Sequence, residues 1–429
     1  MKPQPDRPPP GGLQSRAGGF MATGWRFVPV TILMPLLAST VGLDGGPIFQ
    51  IVAVENLGIS AAPLGLAFGL GIISLPLQIA AARIPLRRAR PNVQIFLVLT
   101  AIQAWILAVL VAIDATGGVA AIALAVTVTA ELAVSILFAT AWQPLLSFAV
   151  DPSSRQRLNS TWQAIARGVL AGSLVAFGAL SDRWRPVFLV LVGIVAVAAA
   201  IGLRSVASPD LPRDDEGTIA TDDPTPASRS SPDSLMLVFV VLGVANLGAM
   251  PLWLVYIDEV LWPSANLGLI GAVQIVAAMI AMLAWRPTQD DVLGRAMVAA
   301  IVTLAAACSI VFVPGPAPDR VGQAVILMAT ALTAIGITIT RVSLLEQAHR
   351  GVNRASAVRV FTMLDVVAST SLQVGLLAAG FLITAATSTT GWIVDPYQLL
   401  IVAAAATTVL ATHVLRTTQE PGRNRQSPR

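Results

Sequence analysis

Apolar residues arrive along this chain in blocks of roughly 17 to 30, each long enough for a helix to cross a hydrocarbon core about 30 Å thick. Twelve blocks can be marked, at 27–54, 63–82, 93–113, 119–149, 161–180, 187–203, 235–256, 266–285, 297–313, 321–341, 357–384 and 397–415. None shows the strict alternation of a membrane β-strand, and backbone groups in lipid must be satisfied internally, so helices are the remaining solution. The pattern therefore predicts an all-α polytopic membrane protein with twelve transmembrane helices.

Polar positions divide the blocks six and six. Residues 205–234 are rich in Pro, Ser, Thr and Asp and read as a solvated linker that cannot build a core. The expected organisation is a disordered tail over 1–25, a six-helix bundle over 26–204, the linker over 205–234, a second six-helix bundle over 235–416 and a short tail over 417–429. The acidic residues of the linker, Asp214, Asp215, Glu216, Asp222 and Asp223, lack the spacing of a calcium loop and read as a solvated charge run.

The two halves share a pattern. Leu43, Pro47, Glu55, Leu57, Ser60 and Ala61 recur at one constant offset as Leu247, Pro251, Glu259, Leu261, Ser264 and Ala265. Both first hairpins thus carry a proline, a glutamate eight residues on and a Ser-Ala pair after it, as expected of an internal duplication. The repeated proline would loosen its helix, and the repeated glutamate falls near the membrane surface, where solvation is cheap.

Composition sharpens this picture. Only 12% of residues are charged against 55% hydrophobic, and the mean hydropathy is +0.76. A soluble domain carries about 25% charged residues. The net charge of +4 would suggest nucleic acid in a soluble protein, but arginine placement has a simpler cause. With the N-terminus inside, inner segments hold Arg7, Arg16, Arg26, Arg83, Arg87, Arg88, Arg90, Arg155, Arg157, Arg286, Arg295, Arg350, Arg354 and Arg416, and outer ones only Arg183, Arg185 and Arg320. The positive-inside rule then places both termini in the cytoplasm of a multi-pass protein in the cell inner or plasma membrane. The lone Cys308 cannot form an intramolecular disulfide and reads as packing. No cleavable apolar region precedes the first block, which is the expected insertion signal.

Two motifs carry a resemblance. After the second block, Ala82-Arg83-Ile84-Pro85-Leu86-Arg87-Arg88 is similar to the Asp-Arg-x-Gly-Arg-Arg loop of the major facilitator superfamily, without its Asp and Gly and with one extra residue. In the fifth block, Gly168-Val169-Leu170-Ala171-Gly172-Ser173 is similar to the glycine-rich signature of that family's proton-coupled drug antiporters, with Ser173 in place of proline. Close helix packing through small residues is the alternative reading of this run. Together with two parallel six-span halves and a soluble linker, these motifs resemble the major facilitator superfamily over essentially 27–415. The resemblance implies alternating access around a central site.

Ionisable groups within spans are costly enough that each requires an account. Asp44, flanked by Gly45 and Gly46, faces Gly248 in the repeat, so symmetry does not demand a carboxylate there. It is a candidate proton-binding or cation-binding group, with a structural hydrogen bond to backbone as the alternative. Thr127, Glu131 and Ser135 follow at four-residue spacing, and Phe138 and Trp142 continue the stripe. Such a face suits either a water-filled cavity or a packed hydrogen-bond network. In the eleventh block Thr362, Asp365, Ser369 and Gln373 share a face, and Arg167, one turn after Gln163, is a candidate partner for a carboxylate across the interior. Arg341 and Arg359, near the inner surface, are expected to snorkel. Asn246, Trp253 and Tyr256 could contact an aromatic or amphipathic cargo, while Trp253 and Tyr256 also suit interfacial anchoring.

His349 and His413 have no local metal-ligand partner and no phosphate-binding Gly-Lys-Ser/Thr loop appears, so neither metal, cofactor nor ATP is expected. The expected protein is a monomeric, proton-coupled secondary transporter exporting a small hydrophobic or amphipathic compound, not an enzyme. Asp44, Glu131, Arg167 and Asp365 would form its coupling network. Thr127, Ser135, Gln163, Asn246, Trp253, Ser369 and Gln373 would line its cavity. Nutrient uptake, or a transport-inactive sensor or assembly role for the same fold, are the alternatives.

Overall fold

The computed structural model describes residues 27–41, 46–74, 76, 88–149, 162–205, 252–263, 265–284, 292–313, 318–351, 354–388 and 395–419. Among them the secondary structure is helical throughout. In chain order, α1 is Val28–Val41, α2 Pro47–Ile51, α3 Ala61–Gly69, α4 Ala89–Ala112, α5 Gly117–Ala149, α6 Gln163–Ala179 and α7 Arg185–Gly202. The second half supplies α8 Trp253–Tyr256, α9 Leu267–Ala284, α10 Val292–Ile310, α11 Arg320–Gly351, α12 Arg354–Ser388 and α13 Pro396–Gln419.

Among the described residues, 8 helices are long and apolar enough to cross a membrane. Three shorter apolar helices, Val28–Val41, Ala61–Ile73 and Gln163–Ala179, accompany them. The seventh apolar block lies largely outside the described residues, and α8 is its last turn. Exposed apolar side chains such as Val119, Ile122, Ile194, Val298 and Phe312 are what a lipid-facing exterior requires, because hydrocarbon does not penalise them.

The first block is broken. Gly46 precedes α2, and Pro47 stands in its first turn, where a missing N–H costs nothing. The returning chain packs on α1: the Ile48 amide donates to Ser39 Oγ at 3.1 Å. A Cβ on Gly46 would lie 2.5 Å from Ser39 Cα and 2.7 Å from the Ala38 carbonyl oxygen. The repeated proline therefore starts a new helical segment in the first half, a sharper effect than loosening. Its counterpart Pro251 lies outside the described residues.

The duplication is visible in the backbone. α2 runs into a π-helical turn at Val52–Asn56, and α8 into one at Ile257–Leu261. Leu57 N–H closes the first on Val52 O at 3.0 Å, and Trp262 N–H closes the second on Ile257 O. These turns sit one residue out of step with the sequence repeat. Each ends the first apolar block of its half before the hairpin into α3 or α9.

The packing order is informative. Within the first half α4 packs on α5 and α7, and α1 on α6. In the second half α10 packs on α11 and α13, and α9 on α11. Between halves the principal contacts are α3 with α12 and α6 with α9. Both crossings are made by glycine. A Cβ on Gly65 would lie 2.7 Å from Gly380 Cα, and one on Gly268 would lie 2.9 Å from Gly178 Cα. Only backbones without side chains approach so closely. Gly65 and Gly268 stand in the first turns after the two first hairpins, so both crossings lie at the same end of the molecule, called below the first-hairpin end.

Candidate functional site

Glu131 on α5 is fully buried. Thr100 of α4 donates to its Oε1 at 3.0 Å, while Oε2 has no partner among the described residues. The carboxyl thus points toward α4, inside the first half. Its stripe neighbours are satisfied close by: Thr127 donates to Ala123 O at 2.7 Å and Ser135 to Leu132 O at 2.8 Å. The aromatic continuation packs in the same half. Phe138 stacks on Trp142 at 5.2 Å and meets Phe96 at 5.0 Å, and Trp142 meets Phe27 edge-on at 5.9 Å. The Thr100–Glu131 bond joins two helices, while Thr127 and Ser135 bond carbonyls of their own helix.

Gln373 on α12 is buried at 2% exposure, and neither its Oε1 nor its Nε2 has a partner among the described residues. Its amide lies between the halves. A Cβ on Gly71, in the 3-10 turn Leu70–Ser74 that follows α3, would sit 3.2 Å from Gln373 Nε2 and would also overlap Leu132. One helical turn of α5 thus presents Glu131 to α4 and Leu132 to the inter-half seam at Gly71. A buried amide left without hydrogen bonds is costly, so its partners are to be sought in a bound molecule or another arrangement of the halves. Ser369 lies one turn earlier on α12 and is half-buried, and Asp365 belongs to the same helix.

Arg167 on α6 is half-buried, and its Nε has no partner among the described residues. The charge acting on it is that of Arg341, on α11 of the other half. The expected carboxylate across the interior is not found at this guanidinium among the described residues. Gln163 lies at the start of α6, half-buried. Trp253 is enclosed, its indole N–H donating to Thr330 Oγ1 at 2.9 Å, and it meets Tyr256 at a tilt, 5.8 Å between centroids; Tyr256 in turn meets Tyr397 at 4.5 Å. Asp44 and Asn246 lie outside the described residues.

The glycine run of α6 is not where helices touch. A Cβ on Gly172 would meet nothing within 4 Å, and one on Gly168 only Met279 Sδ at 3.6 Å. Close packing falls instead to Gly178, beyond the run. No group of three or more His, Cys, Asp or Glu able to hold a metal gathers among the described residues.

At the first-hairpin end the structure assembles a charged cluster that the sequence leaves scattered. Arg185, at the start of α7, pairs with Glu55 of the first π turn; its Nη1 donates to Asn56 Oδ1 at 3.0 Å and lies 3.4 Å from Asp182. The guanidinium also lies 5.4 Å from the Phe177 ring. Glu259, the repeat counterpart of Glu55, makes a different bond: its Oε1 accepts the Ala61 N–H at 2.8 Å, across the two halves. Solvation near the surface is therefore not its whole role. Ser60, an ordinary N-cap residue by type, supplies no side-chain cap to that N–H.

No family model matches the sequence, and no curated protein matches it. Solved structures do. A point mutant of the nucleoside transporter NupG superposes with a TM-score of 0.61 at 10% identity, over 92% of this chain and 99% of that one. A bacterial homologue of the iron transporter ferroportin, solved outward-facing with soaked iron, gives 0.59 at 16% identity over 91% and 99%. A bacterial metal transporter gives 0.53 at 13% identity over 92% and 98%. At these identities the likeness is one of fold, and the chain has the helical fold of solved membrane transporters.

Proposed function

We propose that the chain is a secondary active transporter of the major facilitator type, in which two related six-helix halves rock about a central site. The observation that carries this reading is the seam itself. Two halves ending their first apolar blocks in matching π turns meet through α3 with α12 and α6 with α9, by glycine crossings gathered at one end. Such a seam can part at one end while the helices within each half keep their partners. The transporter fold of the similar structures supports the same conclusion.

Protons are the proposed coupling ion. Glu131 is enclosed with one hydroxyl partner, and protonation removes the charge and with it the cost of enclosing it. Coupling requires that the α4–α5 contact at Glu131 loosen in one arrangement, so that the carboxyl ionises there and a proton gradient is linked to the conformational equilibrium. Asp44 is proposed as the second such group, with Asp365 and Arg167 in support.

The cargo proposed is a small organic molecule carrying both hydrogen-bond donors and acceptors, because the unsatisfied amide of Gln373 offers one of each at the seam. Export is the proposed direction, on the glycine run of α6, whose open surroundings at Gly172 favour a role other than packing. Uptake is the alternative.

The coupling is tested by Asp44→Asn and Glu131→Gln in proteoliposomes at equal protein abundance. Loss of proton-driven accumulation with retained exchange down a cargo gradient is the expected result. Undiminished proton-driven transport in both variants removes these residues from the mechanism.

A further inference from the structure

The sequence repeat makes Glu55 and Glu259 equivalent, yet the structure uses them differently. Glu55 stays within its own half, bound to Arg185. Glu259 crosses to the other half and accepts the first N–H of α3. The equivalent helix start in the second half needs no such visitor, because Asn266 accepts the Leu269 N–H at 2.9 Å with its own side chain. Ser60, before α3, makes no side-chain cap. The cap of α3 is thus contributed from across the seam, and it sits within one turn of the Gly65–Gly380 crossing.

We infer that Glu259 is a titratable latch, holding the two halves together at the first-hairpin end by capping α3, and that rising pH at that end releases it. Moving the halves apart at this end must break the Glu259–Ala61 bond and expose the carboxyl.

The groups around it set the sign. Asp258 precedes it on the same π turn, and Glu55 of the first half acts on Asp258. Arg185 and Asp182 are engaged with Glu55 and Asn56, and Asp395 is engaged with the Tyr256 side chain and the Tyr397 N–H. In the closed arrangement burial raises the pKa of Glu259, the Ala61 N–H opposes this, and Asp258 adds to it; the net direction is up. Burial and then Glu55 raise that of Asp258 as well.

Opening returns both carboxyls to water and toward their ordinary range. A proton held more tightly in the closed arrangement favours closure below the ordinary pKa, and that advantage is lost as pH rises through the closed-state value. Acid at this end therefore favours closure. The amide N–H can be accepted by a protonated acid's carbonyl oxygen, so neutralisation keeps the bond while removing the charge.

The inference rests on the alternating-access reading, and its test does not require a cargo. Spin labels at Arg183→Cys and Thr387→Cys, exposed at this end on opposite halves, are placed in a Cys308→Ser background in nanodiscs. Distance distributions are recorded from about pH 4, at the ordinary carboxylate range, to about pH 9. Each unit by which closure raises a pKa changes the open-to-closed ratio by about tenfold across the titration.

The wild-type ratio is expected to rise with pH. Glu259→Gln, which keeps an acceptor, stays closed and loses most of the response, and the Asp258→Asn/Glu259→Gln double variant is flat. Glu259→Ala, with no acceptor, is more open than wild type at acid pH. A wild-type ratio that falls with pH, or a response that survives Glu259→Gln unchanged, overturns the latch while leaving alternating access standing. An end that never opens in any variant overturns both.

Discussion

Gly380→Ala tests the seam most sharply, because the structure says where the added methyl goes. Its Cβ would lie 2.6 Å from the Ala61 carbonyl oxygen and 2.8 Å from Gly65 Cα, whereas ordinary contact begins near 3.4 Å. The obstacles are backbone atoms of α3, so no rotamer change relieves the clash. The helices must separate by about 0.8 Å, the difference between 3.4 and 2.6 Å. Inserting a methyl into a packed contact costs about 1 to 3 kcal/mol, which here falls on the closed arrangement alone and shifts the open-to-closed ratio by about 5- to 150-fold.

Hydrogen–deuterium exchange reads this directly, as faster uptake at the start of α3 and the end of α12. Gly336→Ala is the control. Its Cβ would lie 2.7 Å from Ala299 O, a clash of similar severity between α11 and α10 of one half. It is expected to lower thermal stability without opening the first-hairpin end. Equal uptake in Gly380→Ala and wild type, or the same opening in both variants, refutes the reasoning.

Two further substitutions probe how the first half is held together. Gly46→Ala places a methyl 2.5 Å from Ser39 Cα and should lower stability by about 1 to 3 kcal/mol in thermal unfolding, whereas the neighbouring exposed Gly58→Asn, at φ +60 with open space around it, should be close to neutral. Thr100→Val leaves both oxygens of Glu131 without a partner and should cost about 1 to 3 kcal/mol. Thr100→Ser should restore it, and equal stability of the Val and Ser variants would mean the hydrogen bond contributes nothing.

Long apolar runs made most helices legible. The block at 119–149 became α5, Gly117–Ala149, and that at 187–203 became α7, Arg185–Gly202, because a lipid-spanning helix must be apolar over its whole length and little else in a sequence is. The repeat around Pro47 and Glu55 was legible too, and a π turn stands near each repeated glutamate. Partners were not. Glu131 reads as a polar position on one helix, but its hydrogen bond comes from Thr100, on another, and no spacing along either helix encodes that meeting. Glycines were ambiguous for the same reason: Gly168 and Gly172 form a motif yet touch almost nothing, while Gly178, outside it, makes the α6–α9 crossing. The divergence of Glu55 and Glu259 was hidden because equivalent residues met unlike neighbours, Arg185 in one half and a bare helix start in the other.

The chain is proposed to carry a solute across the bilayer. Purified protein in proteoliposomes, offered a broad panel of small organic solutes with and without an imposed pH gradient, tests it most directly. Saturable flux of at least one solute is expected, accelerated when the gradient is imposed and accompanied by proton movement. Absence of protein-dependent flux for every solute, in either gradient direction, would contradict it.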